Sequence, residues 1–92
     1  MNFGEALEEL KQGNRVARKG WNGKGMFIYF ESGSLIAPDK IRNLTLAKSI
    51  PDSQKNIDIN PHIDMKSSDG SIVVGWLASQ TDMLADDWVL VK

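Results

Sequence analysis

The stretch RKGWNGKG, residues 18–25, lies between two short runs that have the composition of β-strands. Residues 15–18 form the first run, and residues 26–30 (MFIYF) form a second run that is apolar, aromatic and β-branched. The three glycines between them predict that the chain reverses direction, as a hairpin or a wider loop. The Asn22-Gly23 pair tolerates the positive φ of a tight turn. The pattern therefore predicts an antiparallel strand pair in the first third of the chain.

A helix is predicted before these strands. Asn2 is its expected N-terminal cap, and Glu5 completes a capping box three residues later. Apolar residues then repeat at helical spacing until Gly13, which is expected to end the helix. One face of this helix is apolar, so we expect it to pack against the rest of the domain.

The last third of the chain predicts strands on either side of a short helix. Residues 62–66 and 71–74 read as two antiparallel strands joined by a turn at Asp69-Gly70. Residues 76–84 have the apolar spacing of a helix, and residues 88–92 read as a final strand.

The middle of the chain gives a weaker pattern. Residues 31–61 contain all three prolines and predict irregular structure with one helical turn. The whole pattern predicts the α+β class, with a small antiparallel sheet, an N-terminal helix and a short C-terminal helix. We expect a single domain that covers residues 1–92.

Length and charge restrict the possible functions. A chain of 92 residues, 41% of them hydrophobic, builds a modest core with little room for a deep cavity, so a ligand site is expected between subunits. The net charge of −1 argues against long DNA or RNA as a partner, because such binders carry a large basic excess. A ligand with one or two phosphates needs only a local cluster of cations. Arg15, Arg18, Lys19 and Lys24 can supply one.

Cysteine content and hydropathy bear on the compartment. The chain has no cysteine, which excludes disulfides and thiolate metal sites and suits a reducing cytoplasm. Its longest uncharged stretch, residues 70–81, is too short to span a bilayer, and the N-terminal residues are amphipathic and contain three glutamates. We expect a cytoplasmic protein with no membrane partner and no targeting segment.

Trp21 is the first candidate for ligand binding. Between glycines, its indole could offer a face on which a nucleotide base stacks, or it could fold back over the hairpin. The glycines could let backbone N–H groups approach a phosphate, or they could only shape the turn. Their spacing matches neither the Walker nor the Rossmann pattern.

Other polar residues carry weaker signals. His62 and Asp64 would share a strand face and could act as a base with its orienting carboxylate or as half of a metal site. No third ligand has a suitable spacing, so we expect a structural or surface histidine. Asp86 and Asp87 would point apart, so they are expected to end a helix or cap the next strand. Residues 79–82 (SQTD) suit ribose hydroxyls and base edges, or they form a polar helix face.

Three strings carry a family resemblance: ARKGWNGKGM, PHIDM and GWLASQTDMLADDW. Together with their surroundings, residues 1–30 and 61–91, they cover about two thirds of the chain. In these parts the sequence resembles the small phage and prophage proteins of the Thoeris anti-defence family of the second type. Residues 31–61 show little of the family pattern, and ligand preference could differ there.

The resemblance implies a function. Such proteins bind and sequester cyclic ADP-ribose-type signals made by bacterial TIR enzymes, without cleaving them, so that the Thoeris effector is not activated in the host cytoplasm. Some members also take cyclic dinucleotides. The resemblance further implies a homo-oligomer, a tetramer built as a dimer of dimers, with ligand pockets where chains meet. It implies neither enzymatic activity nor a cofactor or metal.

The matching motifs imply roles for eight residues. Trp21 would stack on a base, and Arg18 and Lys24 would contact phosphates. Asn22 and the backbone of Gly23 would make polar contacts. The set is completed by three residues expected at ribose or base edges, Gln80, Thr81 and Asp82.

Two other classes of function remain open. A nucleotide-processing hydrolase needs a convergent nucleophile, base and oxyanion donors, whereas this chain offers one histidine and scattered carboxylates. A regulatory protein-interaction module would use an exposed Trp21 as a binding hot spot.

Overall fold

The computed structural model describes all residues, 1–92, and its chain forms two compact units. Unit 1 comprises Met1–Glu31 and His62–Lys92, and unit 2 comprises Ser32–Pro61. In chain order the elements are α1 (Phe3–Lys11), β1 (Arg15–Arg18), β2 (Phe27–Glu31), β3 (Ser34–Ile36), a 3-10 turn (Pro38–Lys40), α2 (Leu44–Ser49), β4 (Ile57–Ile59), β5 (His62–Lys66), β6 (Ile72–Val73), α3 (Gln80–Leu84) and β7 (Trp88–Val91). All the candidate residues belong to unit 1.

Unit 1 is built on a five-stranded antiparallel sheet with the order β6-β5-β2-β1-β7. Val16 lies opposite Ile28, and Ile28 lies opposite Met65, so these three side chains share one face of the sheet. α1 buries its apolar side in the same core through Ala6 and Leu10. The core also contains the fully buried Trp88 at the start of β7.

The predicted fold class is confirmed, and so is the start of α1. The Asn2 side chain accepts a hydrogen bond from the Glu5 N–H, and the Glu5 carboxylate accepts one from the Asn2 N–H, which completes the capping box. The turn between β5 and β6 also forms as expected, with Gly70 at φ +90°. The assignment of the whole chain to one nucleotide-signal-binding domain stays a prediction.

One local expectation was wrong, and one of two alternatives was decided. The C-terminal helix does not begin at residue 76: it covers only Gln80–Leu84, because the Ser79 side chain caps it there. The loop between β1 and β2 is the wide form, and its residue with positive φ is Gly25 at +74° rather than Asn22 or Gly23. The chain turns on both sides of the Asn22-Gly23 pair, at residues 19–20 and at residues 24–25.

Unit 2 is more regular than the sequence predicted. β3 and β4 pair as an antiparallel two-stranded sheet, in which Leu35 lies opposite Asp58. The Asn43 side chain accepts a hydrogen bond from the Leu46 N–H and starts α2. Each of the three prolines follows one of these short elements: Pro38 follows β3, Pro51 follows α2 and Pro61 follows β4.

Candidate ligand-binding site

The loop of residues 19–26 is attached to the C-terminal part of unit 1 through Arg18. The Arg18 Nε donates to Asp87 Oδ1 and its Nη1 donates to Asp82 Oδ1, each at 2.9 Å. These partners lie 69 and 64 residues away along the chain. The ion pairs are largely shielded, since the Arg18 side chain is only 15% exposed. They join the end of β1 to α3 and to the residue before β7.

Asp87 also holds the backbone of the loop. Its Oδ2 accepts a hydrogen bond from the Gly20 N–H at 2.8 Å, and its carbonyl accepts one from the Lys19 N–H at 3.1 Å. A Cβ atom at Gly20 would lie 2.9 Å from Asp87 Oδ2. The carboxylate can approach this closely because residue 20 has no side chain.

Trp21 packs into an aromatic cluster. Its ring centroid lies 5.3 Å from that of Trp88 and 6.2 Å from that of Trp76, with interplanar angles of 80° and 67°. Phe3 of α1 contacts the same two rings. The Trp21 indole is half-buried, and no ring of the chain stacks parallel on it.

Asp82 connects these groups. Its Oδ1 accepts from both Arg18 Nη1 and the Trp21 Nε1–H, the latter at 3.3 Å. Its Oδ2 accepts from the Ser79 N–H, and the Ser79 hydroxyl accepts from the Asp82 N–H, as in a capping box. The Asp82 carbonyl accepts from the Trp88 Nε1–H at 3.0 Å. Asp82 therefore completes the capping box of α3, pairs with Arg18 and bonds the indoles of Trp21 and Trp88.

Hydrogen bonds and burial shift the pKa values of the three ionisable side chains in this network, Arg18, Asp82 and Asp87. The Arg18 hydrogen bond is the main cause of the lowered pKa of Asp87. Burial raises the pKa of Asp82, but hydrogen bonds from Arg18, Ser79 and Trp21 outweigh burial, and the pKa is lowered. The bonds to Asp87 and Asp82 in turn raise the pKa of Arg18. Both carboxylates are therefore ionised at neutral pH.

Four other candidate residues are exposed. The side chains of Asn22, Lys24, Gln80 and Thr81 make no hydrogen bond or ion pair within the chain. Gly23 is half-buried, and a Cβ atom there would lie 2.5 Å from Met26 Sδ and 2.7 Å from Ser68 Cβ. A side chain at position 23 would therefore displace Met26.

The structure thus brings the two predicted segments together. Arg18 at the end of β1 and Trp21 of the glycine-rich loop both contact Asp82 of α3. Trp21 folds back onto the aromatic cluster, which was one of the two readings of its position. Asp82 already has partners on both carboxylate oxygens. The roles of all eight residues toward a ligand stay predictions.

The pair formed by His62 and Asp64 lies elsewhere, on β5. The His62 Nε2 is 3.3 Å from Asp64 Oδ1, and the buried Asp64 also accepts from the Gly75 N–H at 2.9 Å. Burial and the nearby Asp64 raise the pKa of Tyr29 on β2. No group of three or more His, Asp or Glu side chains in the chain is arranged to hold a metal ion.

Sequence reasoning missed three residues of the network. Asp87 was expected only to end a helix or cap a strand, and Trp76 and Trp88 were not assigned to the site. One signal was available, because Ser79 and Asp82 have the S-x-x-D spacing of a capping box. It predicts a capping role for Asp82 at the start of the C-terminal helix. The long-range partners of Arg18 had no comparable signal.

Comparison with known proteins agrees with the resemblance seen in the motifs. Residues 1–91 match the family model of the Thoeris anti-defense 2-like (Tad2-like) domain. The chain is 41% identical over 92 residues to Thoeris anti-defense 2 of Bacillus phage SP01, an alignment that covers all of this chain and 96% of the phage protein. No helix has the length and apolar character needed to cross a membrane. The match over nearly the whole chain shows that this protein belongs to the Thoeris anti-defense 2-like family.

Proposed function

We propose that this protein binds a cyclic ADP-ribose-type immune signal and sequesters it without cleavage, so that the Thoeris effector is not activated. Cyclic dinucleotides are proposed as further ligands, and the cytoplasm of the bacterial host is the proposed place of action. The observation that carries this proposal is the contact of the glycine-rich loop with α3 through Asp82. In a member of an anti-defence family, this contact brings an indole and a guanidinium from one predicted segment to the other predicted segment.

The exposed side chains suit the parts of such a nucleotide. Lys24 offers an unpaired ammonium group to a phosphate, and Asn22 offers an amide. Gln80 and Thr81 offer an amide and a hydroxyl to ribose or base edges. Trp21 would stack on a base. Its two tryptophan neighbours meet it edge to face, so no ring of the chain lies parallel to the indole and takes the place of a base.

Arg18 would play a lesser part in phosphate binding than Lys24. Its guanidinium sits between Asp82 and Asp87, so the three groups together carry a net charge of −1 at neutral pH. Nη1 and Nε are already bonded, and only the remaining N–H donors could reach a phosphate.

A homo-oligomer is proposed to complete the pocket, as a tetramer built from two dimers. The segment that leads into and forms α3 exposes large apolar side chains: Val74 is 73% exposed, Leu77 89% and Leu84 78%. Residues 70–81 carry no charge, so a second copy could pack against this segment without like-charge repulsion. Burial of such a patch would place the second copy beside Trp76 and Asp82.

Binding is favoured over hydrolysis by the state of the carboxylates. General acid–base catalysis works best with a group whose pKa lies near the operating pH. Asp82 and Asp87 have lowered pKa values and are bound to Arg18, so neither is suited to proton transfer at neutral pH. The alternative, a regulatory protein-interaction module, would use Trp21 as a binding hot spot and would need no nucleotide.

Calorimetric titration with a ligand panel tests the proposal. The panel contains isomers of cyclic ADP-ribose and several cyclic dinucleotides, with linear ADP-ribose as the matched control. Saturable binding of a cyclic ADP-ribose isomer, with weaker binding of the linear compound, is expected. If no member of the panel binds to the folded protein, the proposal fails and the interaction module is favoured.

A further inference from the structure

We propose that Asp87 is a positioning residue that holds the glycine-rich loop in its ligand-binding conformation without itself touching the ligand. This inference rests on the proposed function. It concerns a residue to which neither the family resemblance nor the sequence pattern gives a binding role.

Asp87 is bonded to the start of the loop, and we call this set of hydrogen bonds the latch. It bonds three consecutive residues: Oδ1 accepts from the Arg18 Nε at 2.9 Å, the carbonyl accepts from the Lys19 N–H at 3.1 Å, and Oδ2 accepts from the Gly20 N–H at 2.8 Å. All three donors are more than 60 residues away in the sequence. Hydrogen bonds to a carboxylate are stronger than those between neutral groups.

Trp21 bonds the Asp82 carboxylate and the Arg18 carbonyl, and the residues of the loop after Trp21 have few bonds of their own. Asn22 and Lys24 have no side-chain partner, and the Gly25 carbonyl has only a long, 3.5 Å contact with Lys66 Nζ. A loop with three glycines loses much conformational freedom when a ligand orders it. A latch that orders the loop beforehand lowers this entropic cost and so raises affinity.

Gly20 is the other half of the latch. A Cβ at this position would approach Asp87 Oδ2 to 2.9 Å, and Gly20 is not among the residues with positive φ. Alanine at position 20 would therefore be acceptable to the backbone but would push the carboxylate away. Gly20→Ala and Asp87→Asn should perturb the same contact from opposite sides.

Amide hydrogen exchange in the ligand-free protein tests the latch. Asp87→Asn and Gly20→Ala are compared with wild type and with Asp86→Asn, a matched control that removes one charge from the neighbouring exposed residue, which has no partner. Exchange of the three hydrogen-bonded amides at the start of the loop, those of Lys19, Gly20 and Trp21, should become about ten-fold faster or more in both latch variants. Exchange of these amides should not change in Asp86→Asn. The amide of Ile28 in the core should stay protected in all variants.

Affinity for the cyclic ADP-ribose isomers of the panel provides the second measurement. Both latch variants should bind about ten-fold more weakly than wild type, and Asp86→Asn should bind as wild type does. Three results would overturn the proposal: unchanged loop exchange, equally faster exchange throughout the core, or faster loop exchange with unchanged affinity. If wild type binds no isomer but the loop exchange changes as expected, the latch stands and the proposed function fails.

Discussion

Replacement of Trp21 separates its packing role from its proposed ligand contact. Trp21→Ala removes two edge-to-face contacts, with Trp88 and Trp76, and these are worth about 0.5–1.5 kcal/mol each. Replacement of a fully buried tryptophan by alanine lowers the free energy of unfolding by about 3–5 kcal/mol. Because the indole is only half-buried, we expect the free energy of unfolding to fall by about 2–3 kcal/mol. For a chain of this size the melting temperature should fall by about 10–20 °C.

Trp21→Phe should have a smaller effect. Phenylalanine retains a ring in the cluster but cannot donate the 3.3 Å hydrogen bond to Asp82. Asp82 keeps its bonds from Arg18 and Ser79, so its charge stays partnered. We expect a loss of about 1 kcal/mol and a melting temperature about 4–8 °C below that of wild type.

Affinity is measured on the same samples by calorimetry, well below the melting temperature of each variant. A base stacked on Trp21 contributes about 1–3 kcal/mol, so Trp21→Ala should weaken binding by about ten- to a hundred-fold. Phe3→Ala is the matched control, because Phe3 contacts the same two tryptophans from α1. It should lower stability and leave affinity unchanged.

Two results would refute this reasoning. Unchanged affinity in a folded Trp21→Ala protein would exclude the stacking contact. An unchanged melting temperature would mean that the contacts of Trp21 with Trp76 and Trp88 contribute nothing to stability.

Three further predictions concern assembly, acid stability and charge. Leu77→Asp places a charge on the most exposed apolar side chain and should reduce the mass measured by light scattering, whereas an unchanged mass would contradict the proposed assembly through this segment. The pKa values of Asp82 and Asp87 are lowered in the folded protein, so their stabilisation is present above the ordinary value of 3.8 and is lost as pH falls through the lowered values. Acid denaturation followed by circular dichroism should therefore be less pH-dependent in a folded Arg18→Leu variant, and an identical dependence would contradict the assigned ion pairs. Lys24→Ala should weaken nucleotide binding by about 1 kcal/mol with little change in stability, and equal affinity in calorimetry would remove Lys24 from the phosphate site.

The sequence predicted those features that depend on local patterns. The capping box of Asn2 and Glu5 and the alternation of residues 62–66 are decided by neighbours a few residues apart. The strand after the glycine-rich loop was placed within one residue of its start at Phe27. Such signals were enough to predict the α+β class.

Features that depend on distant partners could not be predicted. The surroundings of Arg18 are decided by Asp82 and Asp87, which reach it only when β7 pairs with β1. Trp88 lies opposite Arg18 in that pairing, and no local pattern reveals it. An arginine in a glycine-rich loop therefore looked like a free phosphate ligand, although two carboxylates hold it.

The same limit applies to Trp21. Its neighbours in the sequence are glycine and asparagine, which left both a stacking indole and a folded-back indole open, whereas its neighbours in the fold are tryptophans from two other segments. The C-terminal helix was drawn too long because Trp76 and Leu77 fit a helical spacing, whereas the Ser79 cap starts the helix later.

Sequestration without cleavage is the central claim, and recovery of the ligand tests it most directly. The protein is incubated with a cyclic ADP-ribose isomer, separated from free ligand by filtration and denatured by heat, and the released compound is identified by chromatography. Denatured protein that is carried through the same steps corrects for nonspecific retention. We predict that the intact cyclic nucleotide is recovered in proportion to the folded protein. Release of a linear or otherwise processed product would contradict the account and would identify the protein as an enzyme.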